Sequence, residues 1–221
     1  YLVSDPQKTA AWKQRLLAQG LMPKIGLAWK SSLETPSRRL HYPGSLEALD
    51  PVLANKECLF VILQPNADPQ EIEAARQRTG AHILHLPEID FMGDLDETAA
   101  LFTSLDKIIS NGSANAFLAA ALGTATGIPL LKHGQWDCLG TGAIPWLRST
   151  RLFFRQWNQG WHVPLQEAAL WLGTANPVEH AQASPPPASF IETGAQALLD
   201  RATAAHLAGK KDEAESLYRT L

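Results

Sequence analysis

The sequence predicts an α/β protein built on a parallel sheet with helices on both faces. Three observations carry that expectation. Apolar runs of four to seven residues alternate with helical stretches along most of the chain. Those runs are continuously apolar rather than alternating, as strands buried on both faces are. The breaks between elements hold Asp-Pro, Gly and small polar residues, the punctuation of short βα and αβ loops.

The elements follow in order. Lys24–Trp29 reads as the first strand, and Ser45–Asn55 as a helix that Ser45 caps. Cys58–Gln64 ("CLFVILQ") is the strongest strand signal. The next helix starts at Asp68-Pro69 and stops at Gly80, by an N-cap with proline in the first turn and a C-terminal glycine. Ala81–Pro87 is the third strand and Leu95–Leu105 the third helix. Asp106–Ser110 is the fourth strand, with Ser113–Leu122 as its helix. Gly127–Lys132 and Arg151–Arg155 supply two more strands, and Val163–Leu172 the last helix.

At Gly173 the composition changes. Residues 174–193 contain three consecutive prolines and no periodicity, the mark of a linker or extended strap. Residues 194–221 read as two short helices broken at Gly209. Leu198, Ala202, Gly209, Ala214 and Tyr218 have the spacing of tetratricopeptide packing positions. One such repeat cannot bury its apolar face alone. It either docks on the main domain or begins a longer array; an unrelated helical hairpin is the plain alternative. The expected organisation is a domain over 1–173, a linker over 174–193 and a helical hairpin over 194–221.

Composition narrows the function. The 221 residues, 45% hydrophobic and 19% charged, are those of a globular protein, and no run approaches the roughly 20 apolar residues of a membrane span. A formal charge of −3 with no basic stripe argues against nucleic acid as partner. The two cysteines, Cys58 and Cys138, are too few for a disulfide scaffold, and nothing resembles a signal peptide. A cytoplasmic setting is expected. The missing initiator Met suggests a piece of a longer chain.

One stretch breaks the pattern. After the fourth strand come Ser110-Asn111-Gly112-Ser113, then a helix made almost wholly of Ala, Leu and Phe. In a doubly wound sheet of order 3-2-1-4-5-6, the first and fourth strands are neighbours, and the crevice at their carboxyl ends takes the ligand. Two loops then face each other, Trp29-Lys30-Ser31-Ser32 and Ser110 to Ser113. The helix opens there with free N–H groups and a positive dipole end, a natural phosphate seat. Gly112 permits close approach, Ser113 caps the helix or meets a phosphate oxygen, and Lys30 adds a positive charge. The small residues Ala114, Ala116, Ala119, Ala120 and Ala121 let the helix pack tightly on the sheet. The same four residues also make an ordinary capped turn. No Gly-x-Gly-x-x-Gly follows the first strand and no Gly-x-x-x-x-Gly-Lys-Ser/Thr exists, which argues against dinucleotide dehydrogenases and phosphate-loop NTPases.

Taken together, "PKIGLAWKSS", Arg39, "LFVILQ", "DLDETAALFTSLDKIIS", the Ala-rich helix to Gly123 and "PWLRSTRLFFRQWNQGWHVPL" resemble one family. Over about Tyr1 to Leu172 they are similar to the nucleotide-sugar-binding half of GT-B glycosyltransferases. The nearest are bacterial tetratricopeptide-repeat glycosyltransferase-like proteins; heptosyltransferases and O-linked N-acetylglucosamine transferases are more distant. The resemblance implies a Rossmann-like domain that binds a nucleotide-diphosphate sugar such as a UDP-sugar, with no metal or other cofactor, and passes the sugar to a protein or glycan acceptor. It places the diphosphate on Gly112, Ser113, Ala114 and Asn115, with Asn111 leading in. Lys30, Ser31 and Ser32 face the phosphates or sugar, and Gln64 and Pro87 to Phe91, Asp90 among them, approach the base and ribose. Two departures stand out. Relatives often carry Asp-Thr-Ala-x-x-His at this helix start, where this chain has Gly112 and Phe117 in place of the Asp and His. The catalytic base and acceptor side of such enzymes come mainly from a partner domain.

The remaining candidates read as structural. Asp94-Leu95-Asp96 has the look of a metal-binding Asp-x-Asp, but Asp94 with Glu97 makes a capping box. His82 and His85 fall on opposite strand faces, which disfavours joint metal ligation. Arg38, Arg39, His41 and His133 lie in loops near the crevice, with a solvated surface as their default. Ser31, His133 and Asp137 make a hydrolase triad only on paper, since no Gly-x-Ser-x-Gly elbow supports it. Trp136 has the loop position for stacking on a sugar or base; Trp146, Trp157 and Trp161 read as packing. A non-catalytic interaction scaffold carrying repeats, and another phosphate-ester enzyme on the same fold, complete the alternatives.

Overall fold

The structure is a computed structural model, and it describes residues 2–31, 40–132, 136–139 and 141–174, together with positions 201, 204–205, 210, 213 and 216–217. The chain divides into two compact units, Tyr1–Val178 and Glu179–Leu221.

In the first unit, six parallel strands form one sheet in the order β3-β2-β1-β4-β5-β6. They are β1 (Lys24–Ala28), β2 (Leu59–Ile62), β3 (His82–Leu84), β4 (Lys107–Ser110), β5 (Thr126–Leu131) and β6 (Thr150–Arg155). The α-helices are α1 (Pro6–Leu17), α2 (Asp50–Leu53), α3 (Pro69–Thr79), α4 (Leu95–Thr103), α5 (Ala114–Ala121) and α6 (His162–Leu172). The expected strand order and every expected strand are present, with ends shifted by up to three residues: β3 stops at Leu84 rather than Pro87, and β5 and β6 each start one residue earlier than expected. Successive strand residues go to opposite faces. Ile25, Leu27, Phe60, Ile62 and Ile109 join Leu49, Ile72 and Trp171 in one core, while Val61, Leu63 and Ile108 join Trp12, Leu101 and Phe102 in the other.

Two elements differ from expectation. Helix α1 was not foreseen, because only Thr9, Trp12 and Leu16 of its residues are buried, too narrow a stripe to read. Its start is nonetheless written in the sequence. Asp5 Oδ1 accepts from Gln7 N at 2.8 Å and Lys8 N at 2.9 Å ahead of Pro6, as Asp68 accepts from Gln70 N ahead of Pro69. Trp12 Nε1 then donates to Glu97 Oε1 of α4 at 2.8 Å. The helix expected over 45–55 is instead a 3₁₀ turn, Glu47–Leu49, followed by the single turn α2. Pro51 has no N–H to give the Glu47 carbonyl, so one continuous helix cannot form. Ser45 does cap this turn, accepting from Ala48 N at 3.3 Å.

At the amino edge of the sheet Lys107 is 3% exposed. Its ammonium donates to the carbonyls of Trp171 (2.7 Å), Leu172 (3.3 Å) and Thr174 (2.7 Å), closing the end of α6. It also lies 4.7 Å from the Trp171 ring centre. A cation at a helix C-terminus satisfies carbonyls that the helix cannot. Burial pushes the Lys107 pKa down and the neighbouring Cys58 thiol up. Both cysteines are buried and reduced.

In the second unit, helical backbone is described at Arg201, 204–205, Glu213 and 216–217, and Lys210 pairs with Glu213 at 3.4 Å. The proline-rich stretch from 175 and the packing positions Leu198, Ala202, Gly209, Ala214 and Tyr218 lie outside the described residues. Among the described residues no helix is long and apolar enough to cross a membrane.

Candidate functional site

The crevice forms where the sheet reverses direction. β1 pairs with β2 on one side and β4 on the other, so the chain leaves β1 and β4 side by side but turns to opposite faces. Ala28 sits opposite Ser110, and Asn111 N donates to the Ala28 carbonyl at 3.1 Å, which draws the two exits together. The loops after β1 and β4 therefore meet at the carboxyl edge, as the strand order requires.

On the β4 side Ser110 is buried, and its hydroxyl donates to the Asn111 carbonyl at 3.1 Å. Ser113 takes the N-cap position of α5 in an extended conformation, and its side chain makes no capping hydrogen bond. Ser113 Oγ stands 3.5 Å from Ser110 Oγ instead. The first helical bond runs from Phe117 N to Ser113 O at 3.2 Å. Among the described residues nothing accepts from the N–H groups of Ala114, Asn115 and Ala116. That is unlike α1, α3 and α4, each of which has an aspartate on its first turn. An uncapped first turn with no acidic residue leaves its donors and its dipole open to an anion.

Gly112 is exposed. A Cβ there would meet only Ile128, at 3.8 Å, and the backbone is not left-handed, so the fold does not demand glycine at this position. Phe117 packs half-buried against the cluster of Ala116 and Ile128 over β5.

On the β1 side, Lys30 Nζ lies 4.0 Å from Glu71 Oε2 of α3, and Glu71 Oε1 accepts from Leu46 N at 2.6 Å. Lys30 thus stands at the crevice under the hold of an acidic partner from a different element. Ser31 is half-buried beside it, and Ser32 is outside the described residues. Gln64, expected near the base and ribose, is 3% exposed. Its Oε1 accepts from Trp29 N (3.1 Å) and Lys30 N (3.0 Å), so this carboxamide oxygen pins the end of β1. Asp90 is exposed, and its Oδ1 accepts from Met92 N (3.0 Å) and Gly93 N (2.9 Å). Those two backbone donors hold its carboxyl below the usual aspartate value. Trp136 belongs to a 3₁₀ turn, Trp136–Cys138, and only its backbone is described.

Among the described residues, Trp29 Nε1, Tyr42 Oη and Asn111 Oδ1 have no hydrogen-bond partner, and neither do Thr98 Oγ1, Thr103 Oγ1 and Arg155 Nε.

Asp94 caps α4 through Glu97 N at 2.9 Å, as the sequence suggests, but Glu97 turns to Trp12 and Lys8 rather than closing a reciprocal box. Among the described residues no group of three His, Cys, Asp or Glu side chains is arranged to hold a metal. At the same edge one residue went unremarked in the sequence and another was read as packing. Lys132, just past β5, is exposed, and its N–H donates to Arg155 O at 3.0 Å. Trp157, just past β6, is 68% exposed and so is not a packing residue. Its flanking Gln156, Asn158 and Gln159 carry no apolar neighbour on either side, which is the signal that could have marked it.

Comparison with known proteins places this geometry. No family model matches the chain. In sequence it is 34% identical to the protein FlbA of Caulobacter vibrioides over 169 residues, which are 76% of this chain and 28% of FlbA. The chain therefore spans under a third of that relative's length. In structure it is similar to the E. coli ADP-heptose lps heptosyltransferase II, with a TM-score of 0.52 and 16% identity, over 77% of this chain and 53% of that one. A glycosyl transferase family 9 protein from Veillonella parvula gives a TM-score of 0.41 at 12% identity, over 58% of this chain and 36% of its own. The domain has a Rossmann-like fold of the kind found in heptosyltransferase II.

Proposed function

We propose that this chain is the donor-binding half of a GT-B glycosyltransferase, holding a nucleotide-diphosphate sugar at the crevice between β1 and β4. The observation that carries the reading is the first turn of α5, which follows β4 at the switch point and whose three N–H groups have no acceptor among the described residues. The fold shared with heptosyltransferase II supports it.

In this reading the diphosphate sits on the N–H groups of Ala114, Asn115 and Ala116, with Ser113 Oγ and the Lys30 ammonium on its oxygens. The reaction is displacement at the anomeric carbon of the donor sugar by an acceptor hydroxyl. Negative charge grows on the departing nucleotide diphosphate, and the helix end and Lys30 meet that charge with fixed dipoles and a cation. Glu71 orients Lys30 and would give it up to the phosphates. The catalytic base and the site for the protein or glycan acceptor come mainly from a partner domain, and neither metal nor cofactor takes part.

A thermal-shift panel of UDP-, GDP- and ADP-sugars tests this. A ligand at a hundred times its Kd adds about 2.7 kcal/mol, or roughly 5–10 °C for a domain of this size. Lys30→Ala and Ser113→Ala would each reduce the shift. A panel in which no nucleotide or nucleotide sugar raises Tm would overturn the assignment and favour the interaction-scaffold alternative.

A further inference from the structure

We propose that Trp157 is a carbohydrate-stacking platform, receiving the apolar face of a sugar ring at the β6 end of the crevice. The proposal rests on the donor-site reading for its choice of ligand, but its evidence is separate.

Trp157 is 68% exposed, whereas Trp12, Trp29 and Trp171 are each 4% exposed or less. Exposed indole is costly to leave in water, and here nothing in its own unit covers it. The segment that presents it is tightly held. Gln159 N donates to Gln156 O at 3.1 Å, and Gln156 N donates to Gln159 Oε1 at 3.3 Å, closing a turn with Trp157 at its tip. Arg155 secures the base of that turn. It donates to Gln159 O at 3.0 Å and to Leu40 O at 3.1 Å, and its guanidinium lies 4.7 Å from the Trp161 ring centre. A ligand would therefore meet a turn whose backbone is already ordered, which lowers the cost of binding to the side chain at its tip.

The surroundings select the ligand class. The residues flanking the ring, Gln156, Asn158 and Gln159, are neutral amides that donate and accept hydrogen bonds. An indole face beside amides suits a molecule with one apolar face and a rim of hydroxyls, which describes a pyranose. An apolar peptide would call for a wider apolar surface.

Position agrees. The β4 to β5 to β6 pairings put β6 two strands from β4, about 10 Å at ordinary strand spacing. Ile109 stands level with Gly127 and Arg151, so the chain runs four more residues to Arg155 before the turn, about 13 Å further outward. The turn that carries the ring thus lies at the carboxyl edge of the sheet, on the side away from β2 and β3. With phosphates on α5 and the base toward β2 and β3, this is the side on which the donor's sugar, or the glycan that accepts it, would lie.

The test uses the whole chain. The seven tryptophans give seven indole N–H signals in a ¹H–¹⁵N spectrum, and Trp157→Phe assigns the one of interest. The probes are UDP, UDP-glucose, UDP-N-acetylglucosamine, GDP-mannose, ADP-heptose and the free disaccharides cellobiose and chitobiose. A Trp157 shift with a nucleotide sugar but not with UDP assigns the platform to the donor's sugar. A shift with a free disaccharide assigns it to the acceptor. In either case Trp157→Ala weakens that ligand about two- to tenfold, Trp157→Phe restores part of the loss, and Tm stays unchanged. Nucleotide binding at α5 with a Trp157 signal that no sugar moves overturns the platform and leaves the donor site standing. A Trp157 response to disaccharides with no nucleotide binding does the reverse. No response to any probe overturns both.

Discussion

Gln64 offers a direct measure of how the crevice is held. Replacing it with Met keeps the volume and removes the acceptor. Trp29 N and Lys30 N, which now donate to Gln64 Oε1 at 3.1 and 3.0 Å, would lose their partner. The first of these donors is fully enclosed and the second partly so. An orphaned buried donor costs about 1–3 kcal/mol. Counting one in full and one in part, the loss is roughly 2–4 kcal/mol, since the volume-conserving swap adds little of its own. All seven tryptophans fall within the Tyr1–Val178 unit, so indole fluorescence under urea follows that unit alone. With a slope of about 2 kcal/mol per molar, the midpoint should fall by roughly 1–2 M. Hydrogen exchange supplies the second readout, because the amides of Trp29 and Lys30 should lose protection ahead of the rest of β1. A midpoint lowered by under about 0.3 M, with both amides still protected, would refute the idea that this side chain fastens the end of β1.

Four further outcomes follow from the geometry. Lys107→Met strips the Trp171, Leu172 and Thr174 carbonyls of their donor; a loss of roughly 1–3 kcal/mol and faster exchange at the end of α6 are expected, and unchanged stability would make the pin irrelevant. Gly127→Ala drives a Cβ to 2.8 Å from both Phe153 and Trp171, rings that cannot give way, so it should cost about 1–3 kcal/mol in thermal unfolding. Gly112→Ala, whose nearest neighbour is Ile128 at 3.8 Å, should leave Tm unchanged or slightly raised. The Asp90 carboxyl is held low by Gly93 N and Met92 N, so the 90–93 turn keeps its contribution above the ordinary value of 3.8 and loses it only as pH falls through a lower folded value. An NMR titration of the Gly93 amide with a midpoint at or above 3.8 would contradict that.

The kinds of element, their order and the place of the crevice were legible in the chain itself, because each depends on near neighbours. Asp68-Pro69 starts α3 and Gly80 ends it with φ 64, all within the element's own ends. Continuous runs such as "LFVI" announce strands covered on both faces, and parallel connection then dictates where the β1 and β4 loops meet. Even α1, which went unread, carries the same Asp-Pro cap as α3, and Pro51 forbids the longer helix that was expected around it.

What only the tertiary structure decided is where each side chain finds its partner. Gln64 reaches a backbone 34 and 35 residues away, and Lys107 closes a helix 64 to 67 residues on. Whether a tryptophan is core or surface, as with Trp171 and Trp157, depends on what is laid across it rather than on the residues beside it. Dihedral preferences and caps are settled within one turn of chain. Burial and long-range hydrogen bonding are settled by distant segments brought together in the fold, and no local pattern encodes which of them will arrive.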